Sequence, residues 1–150
     1  MNSESMSQRS GPPKRTIDLD RKIRERLEGD FQREFFEAAI QNDPCNLECL
    51  IRLGDLYTRQ GHYEKGLAID RRLIGICPSE PTFHYNLACS LSLLDRLDEA
   101  LAALKSAIER GYDDWEHLER DEDLTNLRKH DEFQLLVESA RGESPTGEDE

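Results

Sequence analysis

The histidines and cysteines are the residues of this sequence with the most evident chemistry. They are His62, His84, His117, His130, Cys45, Cys49, Cys77 and Cys89. No histidine lies in a nucleophile or metal motif such as G-x-S-x-G or H-E-x-x-H. The cysteines lack C-x2-C spacing, which argues against zinc, and the absence of an export signal argues against disulfides. We therefore predict no catalytic residue, no bound metal, no cofactor and no enzyme activity. Among the histidines, His84 is the best candidate for a chemical role. We nevertheless expect it to be a packed interface histidine.

Three consecutive acidic residues, Asp121-Glu122-Asp123, form a second candidate site. Carboxylates are ligands for divalent cations, but the cluster lacks the spacing and the glycine of an EF-hand loop. Acidic side chains also stabilise the N-terminus of a helix. We favour this second interpretation for the cluster.

Apolar and small residues recur at an interval of 34 positions, and this interval dictates the elements. The matched pairs are Leu53 with Leu87, Gly54 with Ala88, Tyr57 with Leu91, Gly66 with Ala100 and Ile74 with Ile108. Such a period is typical of stacked supersecondary units that cannot bury their apolar faces alone. Small residues at Gly54 and Ala88 allow two helices to cross closely. Pro44 and Pro78 then end the second helix of each unit.

The pattern Leu53-Gly54-x2-Tyr57, with its small residues and prolines, resembles the tetratricopeptide repeat family. The resemblance implies an all-α fold in which antiparallel helical hairpins stack as a short right-handed α-solenoid. The segment from Gly111 to Phe133 is similar to the closing segment of many bacterial members of that family. No strand is predicted.

The repeat interval divides the chain into segments. We predict a disordered tail over 1–15, a degenerate repeat over 16–46, repeats over 47–80 and 81–114, capping helices over 115–140, and a disordered acidic tail over 141–150. In the degenerate repeat we expect helices on either side of Gly29, with Ile23 and Leu27 covering the next hairpin and Phe35 packed inward.

Asp70 occupies a position where the repeat pattern favours an aromatic residue. A buried, unpaired carboxylate costs several kcal/mol or becomes protonated. We therefore expect Asp70 to reach solvent or to pair with a cation such as Arg71 or Arg72.

The charge distribution limits the classes of partner. The formal net charge is -12, and residues 115–150 contribute -8 of it, from twelve acidic and four basic residues. Such a surface repels a phosphate backbone, so we predict no nucleic-acid binding and favour a protein partner with a basic face. The alternative is that the acidic surface only keeps the protein solvated. No apolar run approaches the ~18 residues of a membrane span, and we expect a cytoplasmic protein.

The resemblance places a binding groove on the first helix of each hairpin. Its residues would be Glu48, Ile51, Arg52, Asp55, Arg59, Thr82, Tyr85, Asn86 and Cys89. Ile51 and Tyr85 would be apolar anchors, and Asn86 would bind backbone amides of a peptide or helix. We predict a non-enzymatic protein interaction module, able to form a weak homodimer. The alternatives are a client-specific secretion or assembly chaperone and a regulatory subunit of an enzyme.

Overall fold

The computed structural model describes residues 14–142, and describes side chains from residue 20 onward. All regular structure in this part of the chain is helical, which confirms the all-α prediction. The helices are α1 (Lys14–Asn42), α2 (Leu47–Arg59), α3 (Tyr63–Ile76), α4 (Pro81–Leu93), α5 (Leu97–Glu109), α6 (Trp115–Arg120) and α7 (Asp131–Gly142), with 3-10 turns at Glu122–Leu124 and Leu127–Lys129. Of the tails predicted over 1–15 and 141–150, residues 1–13 and 143–150 lie outside the described residues, whereas Arg141 and Gly142 belong to α7.

Local sequence signals define the ends of the central helices. Asn46 caps α2 by accepting a hydrogen bond from the backbone N–H of Cys49 at 3.0 Å. Pro81 occupies the first turn of α4, where a missing N–H costs nothing. Gly61 and Gly111 follow α2 and α5 with φ of 79° and 106°, a left-handed conformation that glycine adopts without strain. Two hairpins result, α2–α3 and α4–α5.

Helix α1 differs from its prediction. It continues without a break from Lys14 to Asn42, so the hairpin expected over 16–46 is absent. Lys14 and Arg15, predicted as tail, belong to this helix. A single glycine costs an α-helix only about 1 kcal/mol, so Gly29 does not end it. Gly29 lies close to the end of α2, and glycine suits this contact because a Cβ there would lie 3.0 Å from the side-chain amide nitrogen of Gln60.

Helix α1 leaves an apolar stripe exposed. Its residues Ile23, Leu27, Phe31 and Phe35 are 49%, 64%, 70% and 60% exposed. Ile23 and Leu27 therefore do not cover the next hairpin, and Phe35 is not packed inward, contrary to the sequence predictions.

Small residues lie where the helices cross, as the interval predicts. A Cβ on Gly54 would lie 3.1 Å from Cγ2 of Ile69 on α3, and Ala88 and Ala100 are fully buried. The core divides into two clusters. One joins α2, α3 and Phe83, and the other joins α4, α5 and the closing segment, which is our name for residues 115–142. The predicted cover from Leu118, Leu124 and Leu127 is present, since all three are fully buried.

Candidate functional site

A cavity of about 440 Å³ lies between α2 and α4, and we call it the α2–α4 groove. Helix α3 contributes Asp70 and Leu73 to its lining, and the closing segment contributes His117, Asp121 and Asp123. The cavity is therefore bounded by two hairpins and by the segment that follows them.

The groove includes most of the residues that the sequence predicts for binding. Those that line it are Ile51, Arg52, Asp55, Tyr85, Asn86 and Cys89. Glu48, Arg59 and Thr82 lie outside its lining. Their role in binding stays a prediction.

Tyr85 is not the exposed anchor that the sequence predicts. Only 3% of its surface is exposed, its ring stacks on Tyr112 with centroids 4.2 Å apart, and its hydroxyl donates to Asp121 Oδ2 at 2.7 Å. Burial raises the pKa of the Tyr85 hydroxyl. Ile51, by contrast, is 44% exposed and available to a ligand. Tyr85 is thus a structural support of the groove.

The Asp70 carboxylate has a hydrogen-bond partner that the sequence does not predict. It is only 5% exposed and accepts a hydrogen bond of 2.5 Å from the Ser90 hydroxyl on α4. No ion pair to Asp70 occurs among the described side chains, so the expectation of solvent or a cation is wrong. Desolvation raises its pKa to about 7, although the bond from Ser90 favours the charged form. Ser90 reaches this carboxyl because α4 passes close to α3 at Gly66, where a Cβ would lie 3.8 Å from the Ser90 hydroxyl oxygen.

Asp121 connects α4 to the closing segment. Its side chain accepts hydrogen bonds from the Tyr85 hydroxyl and, at 3.0 Å, from the backbone N–H of Asp123. This second contact matches the predicted role of the acidic cluster at a helix N-terminus. The first joins residues 36 positions apart, and no local signal in the sequence predicts it.

The electrostatic character of the groove is acidic. Four carboxyl groups line it, from Asp55, Asp70, Asp121 and Asp123, with Arg52 and His117. Arg52 is already paired with Glu48 at 3.2 Å, and Asp55 with Arg59 at 2.9 Å. Burial and the neighbouring Asp121 raise the pKa of Asp123. A cation entering the groove would relieve this repulsion.

Ligand atoms of Cys89, Asp121 and Asp123 lie within 4.8 Å of one another, and these are groups that could hold a metal ion. They already interact, since the Cys89 thiol lies 3.7 Å from Asp121 Oδ2 as donor. Burial and the charge of Asp121 raise the pKa of this thiol, which disfavours the thiolate that a metal requires. The prediction of no metal stays a prediction.

His84 is buried, and its Nε2 lies 2.7 Å from the carbonyl oxygen of Pro78. The same carbonyl accepts a 3.0 Å bond from Arg110. These contacts stabilise the turn between α3 and α4, which joins the two hairpins. His84 is thus packed at an interface.

Fold and site together define an all-helical protein with an acidic groove between two hairpins. The family described as "A/B hydrolase-like, N-terminal domain" matches residues 81–145. The chain is also similar to a curated protein of Arabidopsis thaliana whose name describes it as chloroplastic, at 31% identity over 147 residues, covering 88% of this chain and 43% of that protein. The chain therefore spans less than half the length of the curated relative that it matches.

These findings correct the tetratricopeptide assignment, including its bacterial-type closing segment. The family that matches residues 81–145 is a different one, and that range contains the second repeat and the capping helices of the prediction. The error has a physical origin. Gly54, Ala88 and Ala100 are small because closely crossing helices require it, and any tightly packed hairpin imposes the same requirement.

The structure also bears on the expectation that the protein avoids membranes. Between residues 14 and 142, no helix combines the length and apolar character that a membrane span needs.

Proposed function

We propose that this chain is a non-enzymatic protein interaction module whose α2–α4 groove binds a partner segment carrying a lysine or arginine side chain. The observation that carries the proposal is the lining of the groove, where four carboxyl groups surround a cavity with one arginine. That arginine is paired with Glu48 on its own helix, and Asp55 is paired with Arg59, so the carboxyl groups of Asp70, Asp121 and Asp123 remain in excess. A cationic side chain would therefore complement the cavity.

The walls of the groove support an extended or helical ligand. Ile51 presents an exposed apolar surface on one wall, and Asn86 presents a half-buried amide on the other. An amide can both donate to and accept from a peptide backbone. Apolar contact beside backbone hydrogen bonds is a common mode of peptide recognition.

We further infer that hairpins α2–α3 and α4–α5 stack as a short right-handed α-solenoid. Helices α1 to α5 contact one another in chain order, from α1 with α2 to α4 with α5, and these contacts include α3 with α4 across the hairpin junction. Such stacking places the first helix of each hairpin on one face. The groove lies between those first helices.

A fluorescence polarisation assay tests the proposal with two labelled peptides of about ten residues. One carries two lysines among apolar residues, and the other carries glutamates instead. We expect micromolar binding of the lysine peptide, weakened by salt, and no binding of the glutamate peptide. Equal binding of both peptides, or of neither, would overturn the proposal.

Matched charge reversals separate the groove from the overall negative charge. Asp55→Lys and Glu109→Lys change the net charge equally, both at exposed positions, but only Asp55 lines the groove. We expect Asp55→Lys to weaken the lysine peptide about tenfold and Glu109→Lys less than about twofold. Asn86→Ala should weaken it severalfold. Equal effects of the two reversals would show that binding does not use the groove.

A regulatory unit of an enzyme is the second candidate. It is favoured by the description of the matching family, which names an N-terminal domain of hydrolase-like proteins. This role predicts a hydrolase whose rate of substrate turnover changes when the chain is added. An unchanged rate at saturating binding would exclude it.

The cytoplasmic location is likewise a proposal. The name of the Arabidopsis relative places that protein in the chloroplast, which is the competing compartment. Fractionation of cells that produce the full-length protein would decide between the two.

A further inference from the structure

One carboxyl group of the α2–α4 groove has an oxygen that no protein group occupies. Asp70 is buried, yet it lines the cavity. Its Oδ2 accepts the bond from Ser90, whereas its Oδ1 accepts no hydrogen bond from any residue that the structure describes. Within the described part of the chain, the only side-chain polar atom that is both sealed from solvent and without a partner is Arg128 Nε. Oδ1 of Asp70 is therefore accessible from the cavity.

The other carboxyl groups of the groove are already engaged or are more exposed. Asp55 forms its ion pair within α2 at 2.9 Å. Both oxygens of Asp121 accept hydrogen bonds, and His117 Nε2 also lies 3.2 Å from its Oδ2. Asp123 is only half-buried, so water screens its charge. Asp70 is thus the most buried carboxyl group of the lining, and no cation among the described residues pairs with it.

We propose that Asp70 is the residue that binds the cationic side chain of the partner segment, through its free oxygen Oδ1. The inference rests on the proposed function of the groove, and it names the residue that selects the cation. An ammonium group donates from each of its hydrogens separately, so one accessible acceptor is sufficient for a direct contact. The attraction between opposite charges is stronger at a buried carboxylate than at an exposed one.

This contact makes binding depend on pH. In the free protein, desolvation raises the pKa of Asp70 to about 7, so the carboxyl group is partly protonated near neutral pH. A cation beside the carboxyl group favours its ionised form. Binding therefore releases a proton to the solvent, and the affinity for the cation rises with pH.

Other titratable or charged groups line the same cavity. They are Arg52 and Asp55 on α2, Cys89 on α4, and His117, Asp121 and Asp123 in the closing segment. A histidine can gain a proton between pH 8 and pH 5, and a protonated His117 would also repel a cation. The contribution of His117 therefore needs a control of its own.

The affinity of the full chain for the lysine peptide, measured by fluorescence polarisation at pH 6 and pH 8, tests the inference. We expect the wild type to bind about tenfold more tightly at pH 8, because the ionised fraction of Asp70 rises by about that factor. Asp70→Asn should bind roughly tenfold more weakly than the wild type at pH 8, and its two affinities should agree within about twofold. Circular dichroism at both pH values shows that this variant is folded.

Two variants of the same lining are the controls. Asp55→Asn removes a carboxyl group that is already paired, and His117→Gln removes the other group that can titrate in this range. Each should retain a pH dependence of at least about fivefold, because Asp70 is still present.

The outcomes separate this inference from the proposed function. Equal wild-type affinities at the two pH values, a pH dependence that persists in Asp70→Asn, or one that disappears in His117→Gln would each overturn the role of Asp70. The groove would still be a peptide-binding site in all three cases. A wild type that binds the lysine peptide at neither pH would overturn the proposed function, and this inference with it.

Discussion

The buried carboxyl of Asp70 couples the stability of this fold to pH. Its pKa of about 7 in the folded protein lies above the 3.8 of an unperturbed aspartate. The folded state therefore binds more protons than the unfolded state between these values. The contribution of protonated Asp70 to the free energy of unfolding is complete below about pH 4. It is lost as the pH rises through about 7, and the loss amounts to at most roughly 4 kcal/mol.

Asp70→Asn should remove this dependence. The amide is close in shape to the carboxyl, and its oxygen can still accept the hydrogen bond from Ser90. We expect the variant to be more stable than the wild type by roughly 1 to 3 kcal/mol at pH 8, and little different at pH 4. Urea unfolding from pH 4 to 8 measures the difference. Asp113→Asn, at an exposed position, is the control. Parallel curves for Asp70→Asn and the wild type would contradict the assignment.

Single residues differ in how far the sequence predicts their environment. Gly54 is predictable because the close crossing of two helices restricts side-chain size, and this restriction appears in the interval pattern. The partner of Asp70 is not predictable in this way. Ser90 is 20 positions away, and it approaches Asp70 only because two hairpins pack at one angle. The Tyr85–Asp121 contact has the same origin.

At the level of elements, Ser92 on α4 joins the closing segment to the hairpin before it. Ser92 is fully buried, and its hydroxyl oxygen accepts a bond of 3.1 Å from the backbone N–H of Leu127. Its carbonyl oxygen accepts a second bond, of 3.2 Å, from the Asn126 amide. The irregular turns of this segment thus obtain from α4 the hydrogen bonds that a regular helix makes internally.

Ser92→Ala should loosen the closing segment. The substitution leaves the Leu127 N–H buried without an acceptor, and such a group costs about 1 to 3 kcal/mol. We expect faster amide hydrogen exchange at Leu127 and its neighbours, measured by mass spectrometry or NMR. Thr125→Ala is the matched control, because the Thr125 hydroxyl is exposed and bonds within its own turn. Unchanged exchange in Ser92→Ala would show that apolar contacts alone hold the segment.

The central helices and α1 show what the sequence reveals about elements. Helices α2 and α4 begin at 47 and 81, where the predicted repeats begin, and in the structure Asn46 and Pro81 define those ends locally. The prediction of a break in α1 is wrong, since the cost of one internal glycine is smaller than the stability of a long helix. The prediction that its stripe is core is also wrong, because periodicity reports an apolar side without indicating what covers it.

For the molecule as a whole, the two core clusters share the central helices. Helix α3 contributes Leu67 to one cluster and Leu73 to the other, and α4 contributes Ala88 to one and Phe83 to the other. Neither cluster can lose α3 or α4 without disrupting its neighbour. We therefore expect one cooperative unfolding transition across residues 14–142, although stacked helical units can also unfold from one end.

The only tryptophan, Trp115, allows a direct test of this cooperativity. It lies in α6, whereas Leu50 is fully buried in the cluster around α2. Leu50→Ala should cost about 2 to 5 kcal/mol and lower the melting temperature by roughly 5 to 15 °C. In a cooperative fold, circular dichroism and Trp115 fluorescence shift by the same amount. Leu135→Ala, on exposed surface, should shift neither signal. A Trp115 midpoint that stays at the wild-type value in Leu50→Ala would mean that the two clusters unfold separately.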